Sequence, residues 1–182
     1  MTDYAASDLH FGHSNTIVKF KRPDGSPLRD FSSVEEMNET IINNWNNTVG
    51  KNDRVFLLGD VVINKKYIPL LGQLNGTIFL VMGNHDNHPN DLYTAYGNVK
   101  RLCGSMEYAD MILTHIPVHT AQFERFLGNV HGHLHWNSLP DPRYYNVSVE
   151  RINYTPVKLD DIRQKFMEVR PHFNGLDTNP SM

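Results

Sequence analysis

Three short apolar runs, Arg54–Leu58, Thr77–Met82 and Met111–Thr114, each pass directly into a glycine- or histidine-led polar segment. Runs of this length, rich in Val, Ile, Leu and Phe, read as strands buried on both faces. Tyr4–Ser7 supplies a fourth, followed by Asp8-Leu9-His10. Gly59-Asp60 ends Arg54–Leu58, Gly83-Asn84-His85-Asp86 ends Thr77–Met82, and His115 closes Met111–Thr114. Every one of these motifs falls at the carboxyl end of a strand. In α/β sheets that is the edge where loops converge and ligands bind.

The segments between them read as helices. Ser33 and Glu36 make a capping box ahead of Val34–Thr48, whose Val34, Met37, Ile41, Ile42 and Trp45 share a face. Ile68–Leu74 predicts a second helix broken near Pro69, and Thr120–Leu127 a third. Tyr144–Val149 and Tyr154–Lys158 read as late strands. A helix from Leu159 to about Glu168 follows, with Leu159, Ile162, Phe166 and Val169 inward. Strands alternating with helices predict an α/β fold. The 182 residues suit one domain, expected over 1–173, with a frayed Asn/Asp/Gly/Pro-rich tail at 174–182.

Composition narrows the function classes. A net charge of −3 argues against a general nucleic-acid-binding module, although Lys19, Lys21 and Arg22 form a local basic cluster, as do Lys65 and Lys66. No stretch approaches the roughly 20 apolar residues of a membrane helix. The first residues lack a signal-peptide pattern, and the single Cys103 permits no internal disulfide, so a cytoplasmic protein is expected. The ten histidines are the anomaly. Nine of them group as His10 with His13, His85 with His88, His115 with His119, and His131, His133 and His135. Imidazole is the commonest metal ligand and the usual acid–base group near neutral pH.

Asp8, His10, Asp60, Asn84, His115, His133 and His135 form a set of oxygen and nitrogen donors without thiolate. Such a set suits divalent ions, manganese first, with iron, zinc or nickel as alternatives, and is unlike a closed cysteine-rich zinc site. Seven ligands exceed one ion's needs. They suit two ions roughly 3.5–4 Å apart sharing a carboxylate, an arrangement that clamps the oxygens of an in-line phosphoryl displacement.

Asp8-Leu9-His10, Gly59-Asp60, Gly83-Asn84-His85-Asp86, His115 and Gly132-His133-Leu134-His135 together resemble the signature of the calcineurin-like metallophosphoesterases. The opening Asp-Leu-His-Phe-Gly-His-Ser-Asn, with Asn44-Trp45-Asn46, Asn146-Val147-Ser148-Val149 and Tyr154-Thr155-Pro156, is similar to small bacterial and phage-encoded members. The likeness spans roughly residues 1–165. It implies two mixed sheets packed as a sandwich with helices outside. Asp8, His10 and His135 would hold one ion, Asn84, His115 and His133 the other, and Asp60 would bridge them. His85 would protonate the leaving group, and Asp86 would orient that imidazole or support a ligand.

The implied reaction is hydrolysis of a phosphate ester by a hydroxide held between the ions, with a phosphodiester or nucleotide-like substrate favoured over a phosphomonoester. The Ser/Thr phosphatase branch extends Gly-Asp to Gly-Asp-x-x-Asp-Arg-Gly. Here the run is Gly59-Asp60-Val61-Val62-Ile63-Asn64, without the phosphate-gripping arginine. Cationic help must come from elsewhere, and Lys21 and Arg22 are the candidates. His13 either lines the cleft or packs under the first loop. His131 reads as structural, and His88, His119 and His172 as surface. Two other readings stand beside this one. A non-catalytic scaffold on the same fold would be expected to have lost His85 or several ligands, all of which are present. A nuclease would need a substrate-spanning basic surface.

Overall fold

In the computed structural model, which describes residues 1–95 and 98–173, the strands in chain order are β1 (Asp3–Ala6), β2 (Arg54–Leu57), β3 (Thr77–Val81), β4 (Val99–Cys103), β5 (Ser105–Tyr108), β6 (Met111–Thr114), β7 (Gly128–His131), β8 (Tyr144–Asn146) and β9 (Val157–Lys158). They form two sheets, ordered β4-β3-β2-β1-β9 and β5-β6-β7-β8. β1 to β4 pair in parallel and β9 antiparallel on β1. In the second sheet β5 is antiparallel to β6, while β6, β7 and β8 run parallel. Both sheets are therefore mixed, as the resemblance implies, and helices flank them. The expected tail at 174–182 lies outside the described residues.

The helices are α1 (Asn15–Val18), α2 (Val34–Thr48), α3 (Asn90–Ala95) and α4 (Leu159–Val169). α2 begins as the capping residues dictate, with the Ser33 hydroxyl accepting from the Glu36 amide at 3.1 Å. The return bond differs from a capping box. The Glu36 carboxylate takes the Ser32 amide and hydroxyl instead, one residue earlier. Met37, Ile41 and Trp45 are buried, and the Trp45 indole donates to the Asn75 carbonyl at 2.9 Å. Each such side chain removed from water contributes roughly 1.5–3 kcal/mol. α4 buries Leu159, Ile162 and Phe166, but Val169, its last residue, is 44% exposed.

Four expectations are corrected. The segment expected as a helix over Ile68–Leu74 is a 3-10 helix over Lys65–Gln73, because Asn64 caps it early and Pro69 offers no amide for an α-helical ladder. Thr120–Leu127 is likewise a 3-10 turn, Thr120–Glu124, capped by the His119 ring accepting from the Ala121 amide at 3.2 Å. The strand expected over Tyr144–Val149 stops at Asn146. That expected over Tyr154–Lys158 keeps only its last two residues, since Asn153 and Tyr154 turn through positive φ.

One continuous core joins Tyr4, Val55 and Leu80 of the first sheet to Leu113 and Val130 of the second. The sheets are stitched at both ends. At the amino end, Asp3 on β1 bonds Arg54 on β2 and the Tyr108 hydroxyl on β5. At the carboxyl end, the Ser7 amide donates to the Val147 carbonyl at 2.9 Å and the Val149 amide to the Ser7 carbonyl at 3.1 Å. This second seam brings the carboxyl ends of both sheets to one rim.

Candidate metal centre

The seam places the sequence motifs side by side. Asp8 lies just past β1, Asp60 and Asn84 just past β2 and β3, His115 directly after β6, and His133 and His135 just past β7. With His10 these make seven candidate ligands, and five of the seven have left-handed backbones: Asp8 (φ 58°), His10 (47°), Asp60 (54°), His133 (68°) and His135 (50°). Asp and His tolerate this region better than branched residues, yet each such residue still costs on the order of 1–3 kcal/mol. Strain concentrated on one set of side chains marks what the rim is built to aim. Glycine completes the turns at two contacts. A Cβ at Gly132 would lie 2.0 Å from Ser7 Oγ and 2.4 Å from Asp8 Oδ2, and one at Gly83 2.2 Å from Asp60 Oδ1.

The donors fall into two groups. Asp8, His10 and His135 bring donor atoms within 4.8 Å of one another, and so do Asp60, His115 and His133. Asn84 Oδ1 joins the second group, 3.0 Å from His115 Nε2. Asp60 Oδ2 lies 3.5 Å from His10 Nε2 and 3.3 Å from His115 Nε2, between the two groups. The other oxygen of each carboxylate is occupied by the protein. Asp60 Oδ1 accepts the His85 amide at 2.9 Å, and Asp8 Oδ2 accepts the His133 amide and the Ser148 hydroxyl, both at 2.9 Å. Asp8 Oδ1 and His10 Nε2 are buried and meet no partner among the described residues.

The electrostatics fit cations at this spot. Burial pushes the Asp8 carboxyl up, a cost that a positive charge beside Oδ1 would offset. Burial, then the Arg29 charge, holds the His10 imidazole well below its ordinary value, in the neutral form that binds metal. Burial alone would raise Asp60, but its bond to His115 and the neighbouring charges bring it down. The donor chemistry, the orphaned buried atoms and the shared oxygen together suit two divalent ions.

A layer of outer partners aims these ligands. His115 Nδ1 faces the Leu58 carbonyl at 2.7 Å, and His135 Nδ1 faces Glu150 Oε1 at 3.1 Å, so Nε2 of each is left for the centre. Glu150 is also paired with Arg29 at 2.7 Å, and both side chains are fully buried. Burial would raise the Glu150 carboxyl, but Arg29 and His135 hold it down at about 2. Arg29 further donates to the Leu9 carbonyl at 2.8 Å and the Asp8 carbonyl at 2.5 Å, locking the first motif.

A cleft of about 790 Å³ opens over this rim. Asp60, His85, His133 and His135 line one part of it, and Lys19 to Pro23, Leu28 and Trp136 another. His85 is exposed, belongs to neither donor group, and has its ring centroid 5.8 Å from that of His10. Asp86 is turned away from it. Its carboxylate accepts the amides of Asp60 (2.7 Å), Val61 (2.9 Å) and Gly83 (2.9 Å), with the Tyr93 hydroxyl at 3.4 Å. Asp86 is therefore a positioning residue for the Asp60 loop, and no hydrogen bond ties it to the His85 imidazole. His13 packs beneath the first loop, its ring 5.5 Å from His10 and 5.6 Å from Phe20, and is not among the cleft-lining residues. Lys21 and Arg22 do line the cleft.

Sequence reasoning missed Arg29, Ser148, Glu150 and Trp136. One signal was available: Asn146, Ser148 and Glu150 alternate with the buried Val147 and Val149, so they share a face. All three serve the site, since Asn146 Nδ2 donates to the His135 carbonyl at 2.9 Å. Nothing in the spacing of Arg29 indicates burial.

A family model described as calcineurin-like phosphoesterase matches residues 4–173. The uncharacterized protein MJ1445 of Methanocaldococcus jannaschii is 40% identical over 170 residues, covering 86% of each chain. The gene 66 protein of Mycobacterium phage D29 is 26% identical, over 90% of this chain and 94% of its own. Among solved structures, a protein of unknown function, AQ665 from Aquifex aeolicus, superposes with a TM-score of 0.70 at 23% identity. That match covers 90% of this chain and 98% of the other, and shows a shared fold.

Proposed function

The chain belongs to the calcineurin-like phosphoesterase family, and we propose that it hydrolyses phosphate esters at a binuclear centre, with a phosphodiester or nucleotide-like substrate favoured. The observation that carries this reading is the position of Asp60 Oδ2 between two separate donor groups. Asp8, His10 and His135 would hold one divalent ion, Asn84, His115 and His133 the other, with Asp60 shared. Bound there, the ions would supply Lewis acidity toward the phosphoryl oxygens and lower the pKa of a shared water. The oxygen and nitrogen donor set supports manganese, with iron, zinc or nickel able to use the same ligands.

The remaining steps belong to the protein's own side chains. His85 is free of the ligand groups and faces the cleft, so it can give a proton to the departing alkoxide oxygen. Its main-chain bond to Asp60 fixes where that ring begins. Lys21 and Arg22 bring positive charge to the cleft wall, which supports an anionic substrate. The breadth of the cleft supports an ester larger than a bare phosphate. The single cysteine leaves the fold independent of an oxidising compartment, in keeping with a cytoplasmic setting. No helix among the described residues is long and apolar enough to cross a membrane.

The test is a panel of mono- and diesters offered to metal-stripped protein reconstituted with single metals. Hydrolysis of an aryl phosphodiester with Mn²⁺, abolished by chelator, is the expected result. A protein that binds its metals and hydrolyses no member of the panel would instead be a scaffold on this fold.

A further inference from the structure

Arg22 and Trp136 on the cleft wall meet a second arginine, Arg151, which lies outside the cleft lining. Trp136 directly follows the ligand residue His135, and Arg151 directly follows Glu150, which bonds that same histidine. Both are thus fixed to the centre through the backbone. Arg22 Cζ lies 4.1 Å from the Trp136 ring centroid and Arg151 Cζ 5.7 Å from it. The two guanidiniums are therefore at most about 10 Å apart, close to one Debye length at physiological salt, so the positive potentials of both overlap beside the indole.

Neither arginine has an ion-pair partner among the described residues, although the Arg22 charge is felt at Asp24. Among the described residues, no carboxylate lies within ion-pair distance of Arg22 or Arg151. The acid nearest in sequence to Arg22 is Asp24, whose Oδ1 is taken by the Ser26 amide at 2.9 Å and hydroxyl at 2.6 Å. Arg22 is nonetheless held in place. Its Nε donates to the Leu28 carbonyl at 3.2 Å, and Lys21 pairs with Pro27 across the short hairpin that carries it. Arg151 is anchored more weakly, with NH1 3.4 Å from the Trp136 carbonyl. One anchored fork and one looser one over a single indole, neither within ion-pair distance of a carboxylate, form a seat suited to a phosphate.

We propose that Arg22 and Arg151, seated on Trp136, form a second anion subsite that takes a phosphate other than the one being hydrolysed. The preferred substrates are then phosphoesters bearing a further phosphate: a bisphosphorylated nucleotide, or a short single-stranded oligonucleotide whose next backbone phosphate reaches the seat. This rests on the phosphoesterase reading for the identity of the neighbouring site. The subsite itself is a binding claim that turnover does not decide.

The experiment is calorimetric binding of thymidine 3′,5′-bisphosphate and of thymidine 5′-phosphate to the Mn²⁺-loaded protein. The bisphosphate should bind roughly tenfold to a hundredfold more tightly, the range of one or two charge-assisted contacts. Arg22→Gln and Arg151→Gln should each shrink that ratio, the double variant should bring it near one, and added salt should compress it in the wild type. Equal affinity for both ligands in the wild type, or a preference that survives the double replacement, overturns the subsite. A ternary thymidine oligonucleotide distinguishes the sources. If it gains over thymidine 5′-phosphate by the same arginine-dependent factor as the bisphosphate, a chain phosphate fits the seat. If only the bisphosphate gains, a nucleotide's own second phosphate is the ligand. A protein with the arginine-dependent preference but no hydrolytic activity would retain the subsite and refute the phosphoesterase reading alone.

Discussion

At the scale of single residues, the donors and their outer partners make separable predictions. If His85 gives a proton and holds no metal, His85→Ala should keep both ions and lose roughly 10²–10⁴-fold in rate. The loss should shrink for a nitrophenolate leaving group, which departs without a proton. Rates across a leaving-group series, with metal content measured on the same samples, check this. Loss of metal, or an equal defect for every leaving group, would put His85 among the ligands or positioning residues. Glu150→Gln removes a charge bonded to His135 Nδ1 at 3.1 Å and leaves Arg29 buried without its partner. Metal affinity should fall about 10–100-fold, as measured by competition with a chelator, while the proton-donor behaviour of His85 is kept. The donors were legible in the sequence because each sits in a short motif after an apolar run. Arg29 and Glu150 were not, because a buried ion pair spanning residues 29 and 150 has no local pattern.

At the scale of elements, the capped and periodic helices, α2 and α4, could be read from sequence because local bonds and one apolar face decide them. The strands β4 and β5 could not. Lys100 and Arg101 interrupt one, and the other alternates exposed with half-buried positions at a sheet edge, so neither shows an apolar run. Pro69 turned an expected helix into a 3-10 segment for a reason visible in the sequence, though the early cap at Asn64 was not. The clamp at the amino end of the sandwich gives a prediction at this scale. Burial would raise the Asp3 carboxyl, but Arg54 and Tyr108 more than offset it and lower it from 3.8. A lowered carboxyl stabilises the fold above 3.8 and loses that contribution as pH falls through the folded value. Asp3→Asn should therefore cost about 1 kcal/mol at neutral pH, modest because Arg54 is partly exposed. The gap between wild-type and variant denaturation midpoints should close below pH 3.8. A gap constant from pH 7 to 3 would show that the Asp3 charge contributes nothing to holding β1, β2 and β5 together.

At the scale of the whole molecule, the two sheets meet along the Ser7–Val149 seam, and only that meeting turns five separate motifs into one site. The order and strand-end placement of the motifs pointed to the rim. The position of Asp60 Oδ2 between two donor groups is a property of the assembled fold, and so is the cluster of left-handed backbones that aims them. The strain at those five residues should be tolerated only while the seam holds, so removing metal should lower the unfolding temperature of the whole domain rather than loosen one loop. The central claim is two ions bridged by Asp60, and its most direct measurement is Mn²⁺ titration of metal-stripped protein followed by electron paramagnetic resonance. Two ions per chain with a spin-coupled signal are predicted, and Asp60→Asn should lose the coupling and most of the second ion. One ion per chain, or two that give only the signal of isolated Mn²⁺, would contradict the account.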